Sequence, residues 1–259
     1  MEGQPQAQLF RCRFCSKLAD TYCGSCLRGI IVDSADIYQQ LNTDSALVNK
    51  LPDLDKDPRV DLALVVGTSL LKLAGLRAGN PKNPQPPLRD VQPHLLLQAI
   101  LIIDTQLKQT PSDNGLRLLL IRLYLLLGAA SYADQLWTPM GVKRTIQDAL
   151  SPLFFDRIST LSPGLFQGTK PYMILLNQYY NSSLRDDCPV RIWDAFSSGS
   201  YTSILDMSEY DNQLRRSCTL MMTLVEQHRA ARAFGGKIDV EIADTPLACK
   251  LPRTLQPVL

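Results

Sequence analysis

Histidine is almost missing from this chain. Its 259 residues hold two, His94 and His228, far apart in sequence, which argues against histidine-rich metal sites and paired-histidine acid/base chemistry. Net charge is nearly absent too: 27 Lys+Arg face 25 Asp+Glu, a formal +2, so no strong field draws the chain to nucleic acid or an anionic membrane. Long apolar runs are also lacking. The best stretches, Leu95 to Ile103 and Leu116 to Leu127, are short or broken by Gln98, Arg117 and Arg122, well below the roughly 18 residues of a membrane span. The opening MEGQPQAQLFRCRF lacks an apolar run of signal-peptide length, so the expected compartment is the reducing cytoplasm and the expected state of the cysteines is reduced.

What is present suits a globular chain, with 45% hydrophobic and 20% charged residues. Four of the seven cysteines, Cys12, Cys15, Cys23 and Cys26, write C-x2-C-x7-C-x2-C. Each C-x2-C pair can form a knuckle presenting two thiolates, and four thiolates complete the tetrahedron of a structural zinc. One structural zinc is therefore expected, and no catalytic one, since four protein ligands leave no position for water. The spacing also resembles the first half of a HIT-type zinc finger, without that finger's later ligands. Cys188, Cys218 and Cys249 are unpaired in the pattern and read as buried or inert.

Helical periodicity dominates the rest. Leu27, Ile30, Ile31, Ala35, Tyr38 and Leu41 fall three or four apart. Asp57-Pro58 offers an N-cap and a first-turn proline for a second helix, with Leu62, Val65, Val66, Leu70 and Leu73 as its buried stripe. Residues 80–93 are proline-rich and aperiodic, a loop or linker. Beyond it, Ala99 and Ala133, like Ile103 and Trp137, stand 34 positions apart, the period of tetratricopeptide repeats. A frame from Asn114 puts Leu120, Tyr124, Ala133 and Trp137 at repeat positions, although the tryptophan and glycine usual in the first helix are missing. Gly141, Pro152, Pro163-Gly164 and Pro171 punctuate the following segments. Helices are expected over Met173 to Leu184 and Pro189 to Ser198, with a turn between them. One longer helix is expected over Ser208 to Ala233, with Leu214, Cys218, Met221, Met222 and Val225 inward and Arg215, Arg216, Glu226 and Arg232 outward, stopped by Gly235-Gly236.

The expected fold is all-α: degenerate tetratricopeptide-like repeats forming an α-solenoid, with a small N-terminal cysteine/zinc appendage. Its expected parts are a tail and zinc knuckle at 1–26, a helical hairpin at 27–79, the proline-rich loop at 80–93, the repeat region at 94–236 and a tail at 237–259.

Three local patterns bear on function. DLALVVGTSL at 61–70 looks like the strand and GTS turn of sirtuin deacylases and follows two cysteine pairs. Only eleven residues precede Cys12, so the NAD loop and catalytic histidine that a sirtuin carries upstream are not expected here, and the decapeptide equally fits a helix. Arg232-Ala-Phe-Gly-Gly-Lys237 is similar to an acetyl-CoA loop but ends in lysine, and reads better as a helix terminus. No catalytic residue is assigned.

The segment LRLLLIRLYLLLGA from Leu116, the short helix ending at Trp137, and GVKRTIQDALSPLFFDRISTL from Gly141 resemble the non-catalytic subunits of the N-terminal acetyltransferase B complex, NatB. Weaker likeness runs through GSYTSILDMSEYDNQLRRS and back over DPRVDLALVVGTSLLKLAG. Because family members are long, this chain looks like a central fragment or shortened product. The resemblance implies an auxiliary subunit that embraces a separate catalytic acetyltransferase and supports acetylation of nascent chains beginning with Met followed by an acidic or amide residue, actin and tropomyosin among them. It makes the ribosome or nascent chain a further candidate partner. Within the resembling region, Arg117, Arg122, Arg144 and Arg157 are the candidate partner contacts. The alternatives are a zinc-bearing sirtuin-like NAD-dependent deacylase fragment and a generic tetratricopeptide adaptor.

Overall fold

The computed structural model describes residues 10–11, 18–19, 23–44, 57–76, 88–143, 145–166 and 172–233. They are almost entirely helical, so the all-α expectation holds. The chain divides into two compact units, Met1–Leu120 and Ile121–Leu259.

In the first unit a minimal antiparallel pair, β1 (Phe10–Arg11) and β2 (Leu18–Ala19), sets Phe10 opposite Ala19 and Arg11 opposite Leu18. Helices α1 (Gly24–Thr43), α2 (Pro58–Leu73) and α3 (Pro93–Gln109) follow, with α2 packed against both α1 and α3. Asp57 starts α2 as its spacing predicts: its carboxylate accepts from the Arg59 amide at 2.9 Å, and Pro58 occupies the first turn, where no N–H is needed. The stripe of α2 is rotated from expectation. Val60, Ala63, Val66, Gly67, Leu70 and Leu71 are buried, whereas Val65 is exposed. A helix touched from two sides buries more than one stripe, and Gly67 lets Ile103 of α3 approach closely: a Cβ there would lie 2.7 Å from Ile103 Cδ1.

The DLALVVGTSL segment lies wholly inside α2, and the Thr68 hydroxyl donates to the Leu64 carbonyl one turn back at 2.6 Å. The strand-and-turn reading behind the sirtuin alternative is thereby overturned. Around the proline-rich stretch, the Gln92 amide donates to the Ala74 carbonyl at 2.9 Å, holding the two flanks together. Gly75, at φ 101°, provides the left-handed residue that ends α2.

Helix α4 (Asn114–Leu126) contains the division between the units. Asp113 caps it, accepting from the Leu116 amide at 2.8 Å. Gly128, at φ 75°, ends it, and α5 (Ala130–Trp137) begins two residues later. Of the residues singled out by the 34-residue period and its frame, Ala99, Ile103, Leu120 and Ala133 are fully buried, Trp137 nearly so, and Tyr124 half-buried.

The second unit continues with α6 (Thr145–Phe155), α7 (Ile158–Leu161), α8 (Tyr172–Ser182), α9 (Cys188–Ser197), α10 (Tyr201–Arg215) and α11 (Cys218–Ala233). Helix α11 packs on α6, α7 and α8, while α9 pairs with α10. Trp137, Phe154 and Phe155 form an aromatic cluster, with Trp137 and Phe154 stacked at 5.2 Å.

Three expectations fail here for identifiable reasons. No turn separates α8 from α9: residues 183–187 form a π-helix and the chain stays helical. Pro189 has no N–H to donate, and the wider turn, in which the Cys188 amide reaches the Ser183 carbonyl, carries the helix into it. Pro152 likewise sits inside α6 rather than ending it. The expected long helix from Ser208 breaks at Ser217, whose hydroxyl accepts from the amides of Thr219 and Leu220 at 3.1 and 3.3 Å and so caps a new helix. The break resets the helical phase. Leu214 is buried as expected, but Cys218, Met221 and Val225 are exposed, and Thr219, Leu220, Thr223, Leu224 and Glu226 turn inward instead.

Candidate partner-binding surface

The four candidate arginines have distinct surroundings. Arg117, half-buried in the first turn of α4, donates to Asn114 Oδ1 at 2.9 Å and to the Pro111 carbonyl, so its guanidinium braces the helix start. Arg122 is exposed on the same helix. Five residues at about 100° each turn it roughly 140° from Arg117, so α4 does not present the two together. Arg157 is exposed and opens α7 at φ 61°, the left-handed region, a non-glycine conformation costing about 1–2 kcal/mol. Its carbonyl accepts from the Thr160 and Leu161 amides, so the strained residue nucleates that short helix. Arg144 lies outside the described residues.

Of the expected zinc ligands, Cys12 and Cys15 also lie outside the described residues, between Arg11 of β1 and Leu18 of β2 in sequence. Cys23 occupies the N-cap of α1 and Cys26 its first turn, both half-buried. Among the described residues no three His, Cys, Asp or Glu side chains gather into a metal-holding group. His94 is exposed at the start of α3, and His228 is half-buried on α11. Cys188 is buried, as expected of an inert thiol, but Cys218 is exposed at the first residue of α11; Cys249 lies outside the described residues.

The second unit is held by polar contacts that the sequence did not suggest. Glu226, expected to face outward, is 2% exposed. Its Oε2 accepts from the Ser159 amide at 2.9 Å and the Ser159 hydroxyl at 2.6 Å, while Arg229 donates to Oε1 at 3.1 Å. A buried carboxylate with three donors is satisfied, and it ties α11 to α7. Asp148 of α6 accepts from the hydroxyls of Tyr180 and Ser217. Burial, followed by the bond to Asp148, pushes the Tyr180 phenol well up, so it stays a protonated donor.

A cleft of about 560 Å³ lies between the π-helical stretch, α9 and α10, lined among others by Tyr179, Asp187, Cys188, Arg191 and Tyr210. The Tyr179 and Tyr210 hydroxyls meet across it at 2.9 Å. Burial, then the negative charges of Asp211 and Asp187, push the Cys188 thiol up, leaving it protonated and a poor nucleophile.

What the sequence did not single out is the outer face of α9 and α10, where Val190, Trp193, Phe196, Tyr201 and Leu205 are all exposed. Their helical spacing is readable in CPVRIWDAF and YTSIL, but spacing alone does not tell a solvent-facing apolar stripe from a core-facing one.

Comparison with known proteins gives this helical chain its relatives. It is 29% identical over 142 residues to N-terminal acetyltransferase B complex subunit arm1 of Schizosaccharomyces pombe, covering 52% of this chain and 16% of that protein. It is 28% identical over 159 residues to N-terminal acetyltransferase B complex subunit MDM20 of Saccharomyces cerevisiae, covering 60% of this chain and 19% of that protein. The chain thus spans less than a fifth of the length of these two relatives. Residues 8–251, nearly the whole sequence, match one family, and the chain belongs to it: the N-acetyltransferase B complex (NatB) non catalytic subunit family.

Proposed function

We propose that this chain serves as an auxiliary, non-catalytic element of a NatB-type N-terminal acetyltransferase complex, acting in the cytoplasm. The carrying observation is the family match over residues 8–251. The all-helical architecture supports the reading, because stacked helical hairpins of a tetratricopeptide-like α-solenoid offer extended surface to a partner without needing an active site. The partner is a separate catalytic acetyltransferase subunit, and the complex works near the ribosome on nascent chains. Its substrates are N-termini of Met followed by Asp, Glu, Asn or Gln, including those of actin and tropomyosin. Arg122 and Arg157, exposed in the second unit, are the more available of the candidate contacts, whereas Arg117 is engaged by its own helix start. Arg144 is the fourth.

The test is reconstitution. The chain is mixed with a NatB catalytic subunit, and Met-Asp and Met-Glu peptides are assayed for acetylation. A complex isolated by size exclusion and a turnover above that of the catalytic subunit alone is the expected result. Acetylation by the isolated chain, or no complex at micromolar concentrations, overturns the reading.

A second proposal concerns the cysteines. One structural zinc held by Cys12, Cys15, Cys23 and Cys26 would tie the start of α1 to the residues that lie between the two short strands in sequence. Metal analysis of zinc-replete protein checks it: one equivalent is expected, falling to none in a Cys12→Ser, Cys23→Ser double variant.

A further inference from the structure

Helices α9 and α10 pair with each other yet put their bulkiest apolar side chains in water. Trp193 is 67% exposed, Phe196 62%, Tyr201 74% and Leu205 71%, while the inward side of α9 supplies only Cys188 and Ala195 as buried residues. The amphipathic stripe of α9 therefore faces away from its own unit, and the Trp193 and Phe196 rings stack at 5.9 Å. Gly199, at φ 72°, makes the tight turn between the helices, and the Ser200 amide closes it on the Ala195 carbonyl at 2.9 Å. In an antiparallel hairpin, residues equidistant from the turn stand at the same height. Trp193 and Leu205, each six residues from Gly199, are thus level, and Phe196 and Tyr201, three and two residues from it, lie nearest the turn.

The three rings at about two thirds of their roughly 200 Å² each, with Val190 and Leu205, expose apolar surface on the order of 600 Å² along the hairpin. That reaches the upper end of the roughly 300–600 Å² typical of the largest patch on a monomer, and most of the roughly 800 Å² that each side of a stable interface contributes. Trp and Tyr are also the residues enriched at interface hot spots.

Charge narrows the occupant. Between residues 185 and 209 there are five acidic residues, Asp186, Asp187, Asp194, Asp206 and Glu209, against two basic ones, Arg185 and Arg191, in a chain whose net charge is +2. Those five acids are exposed. Asp186 and Asp194 lie one turn either side of Val190, and Glu209 one turn after Leu205, so they fringe the patch. A second copy of the hairpin, an anionic membrane and a nucleic acid would each meet like charge there.

We propose that the outer face of the α9–α10 hairpin docks an amphipathic helix of a protein partner, its apolar face on Trp193 and Leu205 and its flanks basic. Such a helix need not belong to an acetyltransferase, so the test works without one. The full chain is titrated with a designed amphipathic peptide bearing leucine on one face and lysine on its flanks, and with the same peptide carrying glutamate for lysine. Trp193 is the reporter, because the other tryptophan, Trp137, is buried. The expected result is a blue shift of Trp193 emission and at least roughly tenfold tighter binding of the lysine peptide, with the preference shrinking as salt rises. Leu205→Asp, at an exposed site that leaves the fold intact by circular dichroism, weakens that binding by roughly tenfold or more. The double variant D194K/E209K reverses the peptide preference. Equal affinity for the two peptides, or binding unchanged by Leu205→Asp, overturns the proposal. So does self-association that Leu205→Asp abolishes, or a tighter hold on phosphatidylserine vesicles than on the lysine peptide.

Discussion

The Thr219 hydroxyl donates to the Asp148 carbonyl at 2.7 Å, and that carbonyl is the one four residues before Pro152. In an uninterrupted helix the amide of residue 152 would bond it, but proline has no amide hydrogen. A side chain of α11 replaces the missing donor, and α6 runs through its proline.

Thr219→Val removes the donor without much change in shape, leaving a backbone carbonyl unsatisfied at a cost of about 1–3 kcal/mol. In a Pro152→Ala background the helix supplies its own donor, so the same substitution is expected to cost less. Urea denaturation of the four proteins in the cycle measures the coupling, and additive effects would show that the two residues do not compensate each other.

Glu226→Gln keeps the shape and one acceptor but loses the charge facing Ser159 and Arg229. Charge-assisted hydrogen bonds contribute about 1.5–3 kcal/mol, so a loss of that order in unfolding free energy is expected. Hydrogen exchange at the Ser159 amide should accelerate by more than global destabilisation explains.

Gly67→Ala would gain up to about 1 kcal/mol in an exposed helix. Here the new Cβ would stand 2.7 and 2.9 Å from Cδ1 and Cγ1 of Ile103, itself fully buried with little room to yield. Overpacking of about 1–3 kcal/mol is expected to win, giving a lower melting temperature. Ile103→Val, which removes Cδ1, should be milder in the Gly67→Ala protein than in the parent.

Asp57 links stability to pH. The side-chain bond from Arg59 is the largest influence and lowers its pKa, opposed by burial and aided by the Arg59 amide. A depressed folded-state value means that the stabilisation is present above the unfolded value of about 3.9 and is lost as pH falls through the folded one. Asp57→Asn retains a capping oxygen but does not titrate. Its stability deficit against the parent is expected at neutral pH and should shrink as the solution is acidified below pH 4. A deficit unchanged across that range contradicts the linkage.

Local chemistry was legible in the sequence because it is decided within a few residues. Asp57-Pro58 starts a helix whatever surrounds it, a helical period remains visible without knowing what the helix packs against, and the words around Leu116 to Leu161 carried the family. The 34-residue spacing even picked out positions, Ala99, Ile103, Ala133 and Trp137, that prove to be interior. What the sequence could not determine is which side of each stripe meets protein. A helix pattern fixes relative angles but not the direction of the core, so Val65 and Val225 face solvent and Glu226 faces inward. The breaks depended on distant partners as well: Pro152 stays helical because Thr219 is near, and Ser217 ends one helix and caps the next while its hydroxyl reaches Asp148. Burial and long-range hydrogen bonding belong to the packed chain, and only tertiary structure decided that Trp193 and Leu205 would stand in water while a carboxylate went inside.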